Sequence, residues 1–187
     1  QAIVLGLVQQ ACTSMLGSIR VACGLLATEI DFNNILCITS DRFPLGAKYE
    51  QAYSLISDGA ACCIVSREQK GFRILASHHI TNGSAVQAND EETAAVYFTY
   101  MNRIVNEILE KVEITIDDLD WIIPQNINQK AWQILSRILK IDLDRVFAEP
   151  MSEVAHCISG DNIINLKHLN DSQKIEPGQR LLCLMAG

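Results

Sequence analysis

Apolar residues in this chain occur either in short continuous runs or at every third to fourth position of longer segments. Continuous runs of four to eight apolar residues predict strands, and a spacing of three or four predicts helices with one apolar face. The predicted strands cover residues 2–8, 35–40, 60–65, 72–78, 121–124, 145–148 and 180–185. The predicted helices cover residues 12–28, 91–112, 129–140 and 159–170.

The alternation of these strands and helices predicts a layered α/β protein with a largely central sheet. The charge-rich stretch at residues 66–71 is the predicted boundary between two structural halves, residues 1–70 and 71–187. Residues 2–8 are predicted to form a buried strand that leads directly into the first helix. In that helix the apolar face consists of Met15, Ile19, Cys23 and Leu26.

Composition excludes several classes of function. The 187 residues carry a net charge of −7, whereas nucleic-acid binding requires a strongly cationic surface. No run of about 20 apolar residues was recognised, so no membrane span is predicted. The seven cysteines show neither a disulfide framework nor zinc-ligand spacing, so a cytoplasmic protein without a metal site is expected.

Both ends of the sequence lie next to predicted strands. Gln1 precedes an apolar run directly, and Met185-Ala186-Gly187 follow another. Natural termini usually carry a few polar residues beyond their last element. We therefore expect the sequence to be a piece of a longer protein.

A candidate nucleophile lies where the first predicted strand meets its helix. Cys12 stands in Gln9-Gln10-Ala11-Cys12-Thr13-Ser14, and a thiol in the first turn of a helix faces unsatisfied N–H groups and the positive end of the helix dipole. Both favour thiolate, which attacks thioester carbonyls. By placement alone, Cys12 is equally well explained as a buried apolar residue.

Four segments resemble the β-ketoacyl-acyl carrier protein synthase III family. Ala11-Cys12-Thr13-Ser14 resembles its nucleophile motif, and Ser57-Asp58-Gly59-Ala60-Ala61 is similar to its Gly-Asp-Gly-Ala-Gly turn. Pro124-Gln125-Asn126-Ile127-Asn128 is similar to its Pro-His-Gln-Ala-Asn segment, and Glu176-Pro177-Gly178-Gln179 to its last Lys-Pro-Gly turn. The resemblance implies a thiolase-like layered αβαβα fold, here incomplete, with the later part of the first half and most of the second.

The sequence departs from this family at two positions. The decarboxylating synthases pair the cysteine with a histidine and an asparagine. Gln125 takes the place of that histidine, and the asparagine is replaced by Cys157 or, after a one-residue shift, by His156. Gln125 donates hydrogen bonds but takes up no proton near pH 7.

His156 and Asp161 suggest a different chemistry. A histidine that reaches Cys12 acts as a base near neutrality, and a carboxylate at Asp161 fixes its tautomer. This spacing resembles non-decarboxylating acyltransferases related to synthase III, which implies a Cys12–His156–Asp161 triad. By themselves, His156 fits a core histidine and Asp161 a helix N-terminal carboxylate.

The resemblance therefore implies an acyltransferase that forms an acyl-cysteine from acyl-coenzyme A or acyl-acyl carrier protein and passes the acyl group to a small-molecule acceptor. Two alternatives remain: a decarboxylating synthase III-type condensation, and a non-catalytic partner subunit of a heterodimeric synthase. The resemblance also implies a homodimer, with residues 2–8 near the interface, and thioester contacts at Gln125 and Asn128. No tightly bound cofactor is expected.

One helix carries candidate contacts for the carrier protein. Lys130 and Arg137 lie seven positions apart, and Lys140 is close by, so the three share one region of the helix. The corresponding helix of the family binds the acidic carrier protein, and a basic patch attracts such a partner. A solvated helix face explains the same pattern equally well.

Overall fold

The computed structural model describes residues 3–47, 54–83 and 90–187. Four helices are described: α1 (Ser14–Thr28), α2 (Asp90–Lys111), α3 (Gln129–Leu139) and α4 (Asp161–Asp171). Four strands accompany them: β1 (Asn34–Asp41), β2 (Gly59–Ser66), β3 (Trp121–Ile123) and β4 (Leu181–Cys183). Several 3-10 turns connect these elements, among them Ala11–Thr13 and Ile158–Gly160.

The first half is built on an antiparallel pair. β1 and β2 pair along their whole length, with Cys37 opposite Cys63. Helix α1 packs on one face of this pair, and the buried residues between them are Met15, Ala22, Leu26, Cys37 and Val65. The alternation of side chains along β1 and β2 places Leu36, Ile38 and Ile64 on the opposite face, which is exposed.

The second half is a helix–sheet–helix sandwich. β3 and β4 are parallel, with Ile123 opposite Cys183. Ile122 and Leu182 contact the core formed with α2 and α3, whereas Ile123 contacts Leu169 of α4 on the other side. Successive strand residues point to opposite faces, so both faces of this pair are covered.

The two halves meet through the segment before α4. Ile56 and His156 form a parallel bridge, in which His156 N–H donates to Leu55 O (2.9 Å) and Ser57 N–H donates to His156 O (3.0 Å). At the start of β2, a Cβ on Gly59 would lie 2.6 Å from Cys157 Cβ. The turn Ser57-Asp58-Gly59 therefore packs directly against the loop that carries His156.

All four predicted helices are present, and four of the predicted strands are confirmed as β1 to β4. Three strand predictions are wrong. Residues 3–8 form no strand and are exposed, with Val4 91% exposed; residue 2 lies outside the described residues. Residues 72–78 have no strand pairing. In the third predicted strand, residues 145–148, Val146 follows a 3-10 turn and makes only one bridge, to Ile122.

The reason for these errors is shared. Apolar and β-branched residues favour an extended chain, but a strand also requires a neighbouring backbone with which to pair. Phe72 and Leu75 are 46% and 58% exposed, so that segment has no sheet against which to pack. Local sequence does not specify whether such a partner is present.

The expectation that no segment is long and apolar enough to cross a membrane also needs correction. Residues Ala11–Thr28 have a mean hydropathy of 1.3 over 18 residues and meet the length and composition criterion. Core helices of soluble proteins and signal sequences meet the same criterion. In this structure Met15, Ala22 and Leu26 of the helix pack against β1 and β2.

Candidate functional site

Cys12 lies in a strained turn at the start of α1. The 3-10 turn Ala11–Thr13 continues directly into α1, and two residues beside Cys12, Gln9 and Ala11, have positive φ angles of 61° and 43°. Such left-handed conformations cost about 1–2 kcal/mol each for residues with a Cβ. Thr13 Oγ1 and N–H both donate to Gln10 O, at 2.6 and 3.0 Å. The turn is therefore fixed with the Cys12 thiol at the helix N-terminus.

His156 meets this thiol from the other half of the protein. Its side chain is 4% exposed, and its Nε2 lies 3.3 Å from Cys12 Sγ. The backbone bridge to Ile56 holds the residue from both sides. The structure thus brings together two residues that are 144 positions apart in the sequence.

Asp161 completes the chain of hydrogen bonds. Its Oδ2 accepts from His156 Nδ1 at 2.6 Å and from Asn126 N–H at 2.7 Å, and its Oδ1 accepts from Cys157 N–H at 2.7 Å. Asp161 is completely buried and is the first residue of α4. Three donors therefore converge on the Asp161 side chain at the N-terminus of α4.

A second strained residue lies between the histidine and the aspartate. Ile158 has a φ of 49°, which is rare for a β-branched residue. The 3-10 turn Ile158–Gly160 then leads into α4, so that Asp161 returns toward His156. Backbone strain therefore flanks both Cys12 and the Asp161 carboxylate, as is common at functional sites.

The environment shifts the protonation of His156. Burial lowers its pKa, but the hydrogen bonds to Asp161 and to Cys12, and the negative charge there, outweigh burial and raise the pKa from 6.5 to about 9. The ring is then an imidazolium at pH 7, with Nδ1–H donated to Asp161 and Nε2–H to sulfur. His156 is therefore placed to exchange a proton with Cys12 Sγ.

Cys157 is directed away from this site. Its Sγ lies 3.1 Å from Ser57 Oγ, and it packs against Gly59. Burial raises the pKa of the Cys157 thiol, and the charges of Asp161 and Asp41 raise it further, against the hydrogen bond from Ser57. Of the two residues that sequence reasoning left open for this position, His156 is therefore the one that faces Cys12.

Gln125 also reaches the site. It follows β3, is 4% exposed, and places its Nε2 3.4 Å from His156 Nε2. Its amide also pairs with the backbone of Ala186: Nε2 donates to Ala186 O at 3.0 Å, and Oε1 accepts from Ala186 N–H at 3.1 Å. The next residue, Gly187, is so close to the nucleophile turn that a Cβ on it would lie 2.8 Å from Cys12 N.

Asn128, the other predicted thioester contact, caps α3 by accepting a hydrogen bond from Ala131 N–H at 2.8 Å. It also lines a cavity of about 240 Å³ together with Asn126, Met151 and Ala155. Asn126 follows Gln125 and Ala155 precedes His156 in the sequence, but Cys12, Gln125 and His156 do not line this cavity.

Buried asparagines support the site and were not predicted from the sequence. Asn165 Nδ2 donates to Pro124 O at 3.0 Å and to Asn126 Oδ1 at 2.7 Å. Asn162 Nδ2 donates to Ile123 O at 2.9 Å. Both are completely buried in α4. Asn165 lies three positions after Asn162 and four after Asp161 on the same helix, and this spacing was the available signal for a polar network.

Lys130, Arg137 and Lys140, the predicted carrier-protein contacts, are all exposed on or just after α3. They lie beside two partly exposed apolar residues of the same helix, Ile134 at 44% and Ile138 at 40%. Within the described ranges, no group of three or more His, Cys, Asp or Glu side chains is arranged to hold a metal ion.

The fold and the site geometry define a class: thiolase-like proteins in which a cysteine at a helix N-terminus meets residues from a second α/β half. Two sequence models identify the family within it. The model of 3-oxoacyl-[acyl-carrier-protein] synthase III matches residues 8–83, and that of its C-terminal region matches residues 109–187. The chain belongs to the 3-oxoacyl-acyl carrier protein synthase III family, a family of transferases.

Individual relatives agree with this assignment. The chain is 23% identical to the β-ketoacyl-acyl carrier protein synthase III of Chlamydia caviae over 95% of its own length and 61% of the relative. The solved structure of ChlB3, described as an acyltransferase, has a TM-score of 0.83 at 18% identity. The match includes 95% of this chain and 61% of ChlB3.

The 3-oxoacyl-acyl carrier protein synthase III of Aquifex aeolicus has a TM-score of 0.82 at 20% identity, with 94% of this chain covering 61% of that one. OleA of Xanthomonas campestris has a TM-score of 0.82 at 12% identity, with 95% of this chain covering 58% of that one. The thiolase-like fold is thus confirmed, and the chain spans about three fifths of the length of these relatives.

Proposed function

We propose that the protein is an acyltransferase that uses Cys12 as nucleophile, His156 as proton carrier and Asp161 as its orienting carboxylate. The proposal is supported chiefly by the continuous hydrogen-bonded chain from Cys12 Sγ through both ring nitrogens of His156 to Asp161 Oδ2.

In the first step the Cys12 thiolate attacks the carbonyl of an acyl thioester, from acyl-coenzyme A or acyl-acyl carrier protein. The acyl–sulfur bond to the carrier breaks, and the departing thiolate takes the Nε2 proton of His156. In the second step the acceptor transfers its proton to His156 Nε2 and attacks the acyl-Cys12 carbonyl. The Cys12 thiolate leaves, so the starting state is restored.

Family membership also supports a second candidate, the decarboxylating condensation. Its site in the family pairs a histidine with an asparagine, and the corresponding positions here carry Gln125 and either Cys157 or, after a one-residue shift, His156. Release of carbon dioxide from a malonyl thioester distinguishes condensation from simple transfer. A non-catalytic partner subunit is the remaining alternative and predicts no acyl adduct.

Intact-mass analysis after incubation with acyl-coenzyme A tests the nucleophile. We expect one acyl group, which is lost in Cys12→Ser and retained in Cys62→Ser, because Cys62 is an exposed thiol outside the site. His156→Ala should still form the adduct slowly but transfer the acyl group at least about 100-fold more slowly. A parent protein that forms no adduct contradicts the proposal.

We further propose that Lys130, Arg137 and Lys140 bind an acidic acyl carrier protein, and that the exposed apolar residues 3–8 pack against a second copy of the chain in the cytoplasm. Reversing the charge of Arg137 should weaken acylation by acyl-carrier protein and leave acylation by acyl-coenzyme A unchanged. Lys167→Glu, an exposed lysine on α4, is the matched control.

A further inference from the structure

The side-chain amide of Gln125 is held in one orientation. Its oxygen accepts from Ala186 N–H and its nitrogen donates to Ala186 O. Turning the amide by 180° would place its NH₂ group against Ala186 N–H and its oxygen against Ala186 O, and neither pair forms a hydrogen bond. The second N–H of the same nitrogen is therefore on the side of His156, whose Nε2 is 3.4 Å away.

Two groups converge on a single ring atom. Cys12 Sγ lies 3.3 Å and Gln125 Nε2 3.4 Å from His156 Nε2, and this atom carries either one lone pair or one proton. When Nδ1–H donates to Asp161, a neutral ring has its lone pair on Nε2. Gln125 donates to that lone pair but offers nothing to a protonated Nε2. Its amide consequently stabilises the neutral ring, in opposition to Asp161 and Cys12.

We propose that Gln125 is a positioning residue that keeps His156 Nε2 unprotonated while Cys12 carries an acyl group, so that His156 is ready to accept the proton of the acceptor. This role rests on the proposed acyl transfer. In the acyl-enzyme the thioester sulfur carries neither charge nor proton, and the Cys12 contribution to the raised pKa of His156 is lost.

In the acyl-enzyme, few groups determine the protonation of the His156 ring. The titratable groups that face His156 are Asp161 from α4 and Cys12 from the turn before α1. The bridging segment at Leu55 and Ser57 contacts His156 through its backbone, and Gln125 follows β3 and is uncharged. After acylation, the Asp161 carboxylate favours the protonated ring, whereas burial and the Gln125 amide favour the neutral ring.

A variant pair isolates this effect. Cys12→Ala removes the charge and the proton of the sulfur and therefore represents the acylated state. Adding Gln125→Met keeps a similar length but removes the donor. We expect the proton affinity of His156 to increase about three- to tenfold, the value of one lost hydrogen bond, as measured by nitrogen-15 NMR of the labelled imidazole across a pH series. Gln133→Met, on the exposed side of α3, should leave it unchanged.

If Gln125→Met does not fold, Gln125→Leu serves instead, because it also lacks the donor and adds no charge beside His156, and it should raise the proton affinity by a similar factor. An affinity that stays within about twofold of the Cys12→Ala protein would overturn the proposal. The titration requires no acyl group, so it succeeds or fails independently of the intact-mass test of Cys12.

Kinetics of the protein with its native Cys12 provide a second measure. In Gln125→Met the pH profile of the transfer step, measured on preformed acyl-Cys12, should move to higher pH. If Gln125 had only a structural role, its replacement would lower the rates of acylation and transfer without shifting the pH profile. That result would also reject the proposal.

Discussion

Replacing Asp161 with asparagine removes the charge of a completely buried carboxylate while keeping its shape. In the parent, Oδ2 accepts from His156 Nδ1 and Asn126 N–H, and Oδ1 accepts from Cys157 N–H. An asparagine has only one acceptor oxygen and presents an NH₂ group on the other side. At least one of the three buried donors must therefore lose its partner.

The cost follows from these three contacts. A buried N–H without an acceptor costs about 1–3 kcal/mol, and a bond that changes from a charged to a neutral acceptor loses about 1 kcal/mol. Relief of the buried charge offsets part of this. We expect the free energy of unfolding to fall by about 2–4 kcal/mol, a substantial part of the about 5–15 kcal/mol typical of a folded domain.

Urea unfolding of the parent and Asp161→Asn measures this difference. Asp171→Asn is the matched control, since Asp171 is exposed at the other end of α4 and pairs only with Lys167. Its effect should stay within about 0.5 kcal/mol. If Asp161→Asn were as mild as this control, the carboxylate would not be the acceptor of three buried hydrogen bonds, and the reasoning would be refuted.

Two further predictions follow from packing and from protonation. Gly59→Ala would place a Cβ 2.6 Å from Cys157 Cβ and should destabilise by about 1–3 kcal/mol, whereas Gly24→Ala, in an open helical position, should stabilise by about 0.5–1 kcal/mol; equal urea midpoints would contradict this. The raised pKa of His156 means that the folded protein binds more protons than the unfolded one. Its stabilising effect is complete below pH 6.5 and is lost as the pH rises through about 9. The stability difference between the parent and His156→Gln should shrink over that range, and a constant difference would show that the pKa is not raised.

Local pattern was sufficient to predict the helices of this protein and the strands that lie inside it. The four-residue spacing of Met15, Ile19 and Cys23 identifies the buried face of α1 because side chains four positions apart share one side of a helix. The same pattern predicted strands at residues 2–8 and 72–78, and residues 3–8 and 72–78 form none. Pairing depends on a second backbone, which is not encoded in the segment itself.

The chemistry of the candidate site was likewise only partly visible in the sequence. Cys12 was a candidate from its position at a helix start, whereas His156 and Asp161 became candidates only through the family resemblance. The sequence did not show whether His156 or Cys157 faces Cys12, because adjacent residues share the same local sequence and differ only in where their side chains point. The choice was decided by the bridge between Ile56 and His156.

The sequence by itself determined which side chains are able to carry a proton or attack a carbonyl, since that property belongs to the residue type. The tertiary structure decided which of them meet: the 3.3 Å contact between Cys12 and His156 joins two halves of the chain. It also decided the orientation of Gln125, which depends on the backbone of Ala186. Such contacts arise from the packing of distant elements, and no short segment specifies them.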